Sequence, residues 1–229
     1  MKIIFEDKNI IVIEKASGEA SQSDKGGTES LVDFINAHMK ANKEGKKQAF
    51  VIHRLDRPVG GLMVYAKTKE SASDLGRQVQ AGKVRKKYLA VVQGTPEAPE
   101  GELKHMLLKD EASNTSAVVE TANKAAKEAI LRYRVLETIQ DPEFGELSLM
   151  EILLITGRHH QIRVQLSSIG CPIWGDTKYN KDFVALDGWH QIALYASLLS
   201  FYHPTMNKPL KYEQKPDVTQ KPWSLFKMV

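Results

Sequence analysis

His53-Arg54-Leu55-Asp56-Arg57-Pro58-Val59-Gly60-Gly61-Leu62-Met63-Val64 sets one carboxylate between two arginines, then runs through a Gly-Gly turn into an apolar stretch. Leu62 to Ala66 carries no charge and reads as a strand buried on both faces. An acid at the entrance of such a strand, flanked by fixed positive charges, is expected to stay ionised. A carboxylate kept anionic suits a nucleophile or a cation stabiliser better than a general acid. Taken alone, the cluster reads as a surface salt-bridge group. The rest of the chain changes that.

Outward from this stretch, short β-type runs dominate. Ile3-Ile4-Phe5 and Ile10 to Ile13 open the chain around a polar turn, and 17–27 is a Gly/Ser-rich loop. Thr28 reads as the N-cap of a helix carrying Leu31, Val32, Phe34, Ile35 and Met39. After the Lys-rich connection 40–48, the spacing predicts a second amphipathic helix over 68–80, with Ala72, Leu75 and Val79 on one face. Strands are predicted over 88–92, 103–108, 116–120, 129–137 and 147–155, with a turn at 96–101. Ala129, Leu131, Tyr133 and Val135 alternate with Ile130, Arg132, Arg134 and Leu136, as in a half-buried antiparallel strand. A helix over 159–169 with Ile162, Leu166 and Ile169 as its stripe, and a strand over 189–201, complete the pattern. Many strands, few helices and no regular βαβ alternation indicate an α+β fold: a single domain, 1–229, on a large mixed, mostly antiparallel sheet with a few flanking helices.

Length and composition set the bounds. The chain has 229 residues, with 42% hydrophobic and 26% charged, which suits a soluble globular protein. Glu6 and Asp7 stand where a signal peptide needs an apolar run, so no targeting segment is expected. No apolar stretch approaches the roughly 18 residues of a membrane span. Cys171 is the single cysteine, so no internal disulfide or zinc motif opens, and a reducing cytoplasm is expected. The net charge of +4 is uneven: residues 40–88 hold 13 Lys+Arg against 4 Asp+Glu, leaving the remainder at −5. A basic region inside a mildly acidic protein is the footprint of a polyanion site.

Two further stretches carry chemistry. Thr156-Gly157-Arg158-His159-His160-Gln161-Ile162-Arg163 ends a strand and starts a helix with imidazole and guanidinium groups, a setting that can hold phosphate. Adjacent histidines are expected to point to different faces and not to share a metal. Arg85-Lys86-Lys87-Tyr88 puts an aromatic at the end of a basic run, where it can stack on a base beside phosphate contacts.

Together these stretches resemble the RluA-like family of RNA pseudouridine synthases. The resemblance rests on His53-Arg54-Leu55-Asp56 with Gly61-Leu62, and on Thr156-Gly157-Arg158 with His160-Gln161-Ile162-Arg163. Supporting pieces follow in the family's order: Glu6-Asp7, Ile11-Val12, Lys15 and Gly18; Lys86, Tyr88, Ala90 and Gly94; Ile169-Gly170, Pro172-Ile173, Gly175-Asp176 and Tyr179; and Leu198, Phe201 and His203-Pro204. The pattern departs at Val59-Gly60, where the family commonly has Thr-Ser, and at His159, where it has Thr.

The resemblance implies the pseudouridine synthase catalytic fold and the isomerisation of a uridine in ribosomal or transfer RNA. It makes Asp56 the catalytic aspartate, Arg163 the arginine that pairs with it, and Tyr88 the tyrosine that packs on the target uracil. Arg54, Arg57, Lys86, Arg158 and His160 are the candidates for binding the RNA substrate. No cofactor and no metal are implied, and the partner is structured RNA with the uridine flipped out of its stack. The upstream RNA-binding domain of many members is not expected, which leaves target choice to loops such as 17–27 and 40–48. A cytoplasmic monomer is the expected form. A non-catalytic RNA-binding or RNA-folding protein on the same scaffold is the alternative; a glycosidase needs a second facing acid that no motif supplies.

Overall fold

The computed structural model describes residues 2–23, 27–42, 48–120, 124–186 and 190–227. Parts of both proposed target-choice loops, 24–26 and 43–47, lie outside these residues, as does 189. The chain forms two compact units, one of residues 1–86 and 196–215, the other of residues 87–195 and 216–229. The architecture is α+β.

The first unit contains strands β1 (Lys2–Glu6), β2 (Ile10–Lys15), β3 (Phe50–Val51) and β4 (Gly60–Ala66), and helices α1 (Leu31–Ala41) and α2 (Lys69–Gln80). It also holds most of β10 (Leu194–Tyr202) and all of β11 (Pro209–Glu213). The strand order is β1-β2-β4-β10, with β3 on β4 and β11 on β10. β2 pairs antiparallel with β4, Ile10 opposite Ala66 and Lys15 opposite Gly61. Residues Ile10 to Ile13 are each 0% exposed and all of β4 is buried, which explains their unbroken apolar sequence. Ile10, Val12, Leu62, Val64, Leu199 and Phe201 pack with Leu75 of α2. Thr68 caps α2 by accepting from the Ser71 N–H.

The cap of α1 is Ser30 rather than Thr28. Asp33 accepts from both the backbone N–H and the hydroxyl of Ser30, at 2.9 and 2.7 Å, and this capping-box geometry outcompetes the threonine two residues earlier. Distant parts of the chain are tied by Asp7, whose Oδ2 meets His203 Nε2 at 2.7 Å while Oδ1 accepts from Asn9 and Ile10.

Gly61 needs its missing side chain. At φ +120° it lies in a region that side chains disfavour, and a Cβ would stand 2.4 Å from the Ala196 carbonyl oxygen. Gly61→Ala is expected to destabilise the fold by about 3 kcal/mol, read as a lowered urea midpoint with an unchanged slope.

The second unit holds β5 (Arg85–Gln93, from Lys87 onward), β6 (Glu100–Asp110), β7 (Thr115–Val119), β8 (Lys127–Asp141), β9 (Gly145–Leu154) and α3 (Gln161–Ser168). A short helix, α4 (Lys181–Val184), follows. The order is β5-β9-β8-β6-β7, and the β6–β7, β6–β8 and β8–β9 pairs are antiparallel. Ala129, Leu131 and Tyr133 of β8 are buried while Arg132 and Arg134 are exposed, as their alternation predicts. Glu100 and Gly101 belong to β6, so the predicted turn ends earlier than expected. β10 likewise starts at Leu194, later than the predicted strand.

Candidate active site

Asp56 sits half-buried on a turn between β3 and β4, closed by the Val59 N–H donating to the Asp56 carbonyl at 2.9 Å. The loop after β2 holds this turn almost entirely by its backbone. Ser21 Oγ donates to Leu55 O at 2.8 Å, Gly18 N to Arg57 O at 2.9 Å, and Ser17 Oγ to Pro58 O at 2.8 Å. Lys15 Nζ adds bonds to Arg57 O at 2.9 Å, Val59 O at 2.7 Å and Ala16 O at 3.0 Å. Every carbonyl from Leu55 to Val59 therefore has a donor. A turn with all its acceptors satisfied holds its one carboxylate in a fixed place.

Lys15 is 1% exposed. Burial pushes its pKa down to about 8, with Glu19 and Asp56 pulling upward and Arg57 pushing further down. Sequence reading placed Lys15 in a motif without giving it a role. The available signal was a lysine at the end of a strand whose first four residues are buried.

The arginines beside Asp56 behave differently from the expectation of a carboxylate set between fixed charges. Arg57 is exposed and turns its Nε to the Gly18 carbonyl at 2.9 Å. Arg54 is exposed and makes no hydrogen bond or ion pair among the described residues. Chain neighbours on a turn diverge in space, and a buried cation that is coupled to Asp56, Lys15, comes from β2.

His53 anchors the start of the turn. Its Nε2 accepts from the Val64 N–H at 3.3 Å, so in the neutral ring the proton lies on Nδ1. Nδ1 is closed off from solvent and has no partner among the described residues. Burial, with the Lys86 charge adding to it, pushes the His53 pKa down to about 3. The imidazole stays neutral at physiological pH. Lys86 is half-buried, its pKa lowered by desolvation, and it makes no ion pair among the described residues.

The other residues singled out from the sequence belong to the second unit. Tyr88 lies on β5 and is 5% exposed. Thr156 and Gln161 pin the turn after β9: Gln161 Oε1 accepts from Thr156 Oγ1 at 2.8 Å and from the Arg158 N–H at 2.9 Å. Arg158 is exposed and donates from Nε to Glu128 O. Helix α3 starts only at Gln161, because His160 is left-handed at φ +52°. That turn also overrules the expectation that the two histidines face apart. Their rings stack at 3.8 Å. His160 is 8% exposed and meets the Tyr179 hydroxyl through Nδ1 at 2.8 Å.

Arg163 is 3% exposed and forms a two-point pair with Asp176, Nε to Oδ2 at 2.8 Å and Nη2 to Oδ1 at 2.6 Å. Sequence reading did not single out Asp176 as a partner. A Gly-Asp pair followed by a Tyr three residues on was the only trace of it.

A sequence profile described as RNA pseudouridylate synthase matches residues 9–168. The chain belongs to the RNA pseudouridylate synthase family. The matched residues include the Asp56 turn, Tyr88 and the Thr156–Arg163 stretch. An uncharacterized RNA pseudouridine synthase of Aquifex aeolicus is 33% identical over 223 residues, covering 93% of this chain and 68% of its own. Ribosomal large subunit pseudouridine synthase C of Rickettsia bellii is 36% identical over 180 residues, covering 79% and 57%. The tRNA pseudouridine synthase C of Haemophilus ducreyi is 32% identical over 224 residues, covering 89% and 86%. This pseudouridylate synthase chain thus spans between 57% and 86% of the length of these relatives. Among solved structures, human RNA pseudouridylate synthase domain containing 4 superposes with a TM-score of 0.76 at 25% identity, covering 94% of this chain and 89% of that one.

Among the described residues, no three or more His, Cys, Asp or Glu side chains group to hold a metal ion. No described helix is long and apolar enough to cross a membrane.

Proposed function

We propose that this chain isomerises a uridine of structured ribosomal or transfer RNA to pseudouridine, with Asp56 as its catalytic carboxylate. The observation that carries the reading is Asp56 on a backbone-fastened turn inside the family match. The reaction breaks the N1–C1′ bond, turns the base and joins C5 to C1′; the C5 proton leaves to solvent and N1 regains one. A held carboxylate serves attack on the sugar carbon, stabilisation of a cationic sugar, or removal of a sugar proton. Arg163 is the cation that holds the Asp56 charge, and Tyr88 is the platform for the flipped uracil.

Arg54, Arg57, Lys86 and Arg158 take RNA phosphates. Arg54 and Lys86 suit this best, since neither has an ion-pair partner among the described residues. His160 supports Tyr179 in this reading and meets RNA only through that support. The chain works as a cytoplasmic monomer without cofactor or metal.

The test maps pseudouridine by carbodiimide reaction in total RNA from cells lacking the protein, and from the same cells with it restored. One or more uridines are expected to gain the mark on restoration, and those positions name the substrate. Identical maps, together with RNA binding, would favour the RNA-folding alternative.

A further inference from the structure

We infer that Asp176 and Tyr179 are positioning residues that aim the Arg163 guanidinium. The inference rests on the proposed role of Arg163 and adds to it the residues that fix its orientation.

The geometry is over-determined. Asp176 has a side-chain exposure of 0% against 4% for Arg163. Its Oδ1 accepts from the backbone N–H groups of Lys178 and Tyr179, at 2.9 and 3.3 Å, besides Arg163 Nη2. The carboxylate is thus locked to its own turn before it meets the arginine. Gly175 makes that turn possible: at φ +77°, a Cβ there would fall 2.4 Å from the Gln191 carbonyl oxygen.

A two-point pair fixes the guanidinium in its own plane, because Nε and Nη2 form one edge of the fork. That edge faces Asp176, so Nη1 and the second Nη2 proton project away from it, along one defined direction. Tyr179 fixes the plane itself, with its ring centre 5.2 Å from Arg163 Cζ. The Tyr179 ring is held in turn. Its hydroxyl accepts from the Ser116 N–H at 2.7 Å and meets His160 Nδ1 at 2.8 Å. Edge and face are both set, from β7 and from the turn after residue 175. A pair serving only to neutralise a buried charge needs neither the two-point geometry nor the ring.

The test is a double-mutant cycle. RNA labelled with tritium at uridine C5, drawn from cells lacking the protein, is mixed with excess enzyme, and tritium release to water gives the single-turnover rate. Binding of the same RNA is measured by filter retention. Asp176→Asn is expected to slow release at least 30-fold while RNA affinity stays within threefold. Arg163→Lys keeps the charge but loses the fork. In that background, adding Asp176→Asn is expected to cost less than threefold more.

Equal losses in both backgrounds, or a near-wild-type rate for Asp176→Asn, overturn the inference. If Asp176→Asn fails to fold at the assay temperature, Tyr179→Phe carries the cycle, with a three- to tenfold loss expected that vanishes in the Arg163→Lys background. An unaltered Tyr179→Phe rate then overturns the inference. If Arg163→Lys and Asp56→Asn both release tritium like wild type, the reading of the site fails instead, which is a separate result.

Discussion

Asp56→Asn is expected to lower the single-turnover release of tritium from C5-labelled uridine RNA by at least about a thousandfold, as for other nucleophilic or charge-stabilising carboxylates. Asparagine matches aspartate in size and removes only the charge. The turn is fastened through the carbonyls of residues 55–59, and those bonds survive the substitution. The melting temperature should therefore move by no more than about 2 °C. RNA affinity should stay level, because Arg54 and Lys86, not Asp56, carry the proposed phosphate contacts. A variant that binds RNA, melts like wild type and releases no tritium is the expected outcome; wild-type release from it would remove Asp56 from the mechanism.

The second large effect is expected at Lys15. Lys15→Met keeps the length of the stem but strips Val59 O of its donor and removes one of two donors to Arg57 O. The expected loss of stability at pH 7 is about 2 kcal/mol, less than the stranded acceptors alone would cost because a desolvated charge also disappears. Activity is expected to fall by about a hundredfold, since small misplacements of a reacting group cost that much.

The pH dependence gives Lys15 a distinctive mark. Its folded pKa of about 8 lies below the ordinary lysine value of 10.5. Between these values the unfolded chain binds more protons than the folded one, so this group raises stability as pH climbs from about 8 to 10.5. The stability gap between wild type and Lys15→Met should widen across that window. Turnover should move the other way, because a neutral amine has two donors for three carbonyls and no charge beside Asp56. Urea unfolding and single-turnover rates at pH 7, 8, 9 and 10 check both slopes; parallel slopes would rule out the role.

Much of the fold was legible because its strands announce themselves. Residues 10–13 of β2 and 62–66 of β4 are unbroken apolar runs and β8 alternates, and their burial follows from those patterns. Helix α2 was fixed by Thr68. The errors came where two local signals compete or where backbone geometry overrides side-chain type. Thr28 and Ser30 are both good caps, and only the reach of Asp33 separates them. His160 carries an ordinary side chain at a left-handed position, which shortened α3 and stacked two rings that sequence spacing sets apart.

Around Asp56, sequence proximity was a poor guide to charge. Arg57 turns to a carbonyl, while Lys15, 41 positions before Asp56, reaches the carbonyls of Arg57 and Val59 because β2 and β4 pair with Lys15 opposite Gly61. Asp176 was hidden for a related reason. Its meaning depends on a turn that brings it back to α3, and a linear motif shows the residues without the turn.

The clasp around Asp56 grips oxygen atoms that every amino acid carries. It is therefore blind to which side chains occupy the turn, provided the backbone can follow its path. A substitution at Val59 is therefore expected to leave these backbone hydrogen bonds in place. The hold depends instead on Lys15 at the end of β2 and on Ser17, Gly18 and Ser21 in the loop that follows it. Neighbouring side chains on the turn can change while the Asp56 carboxylate keeps its place.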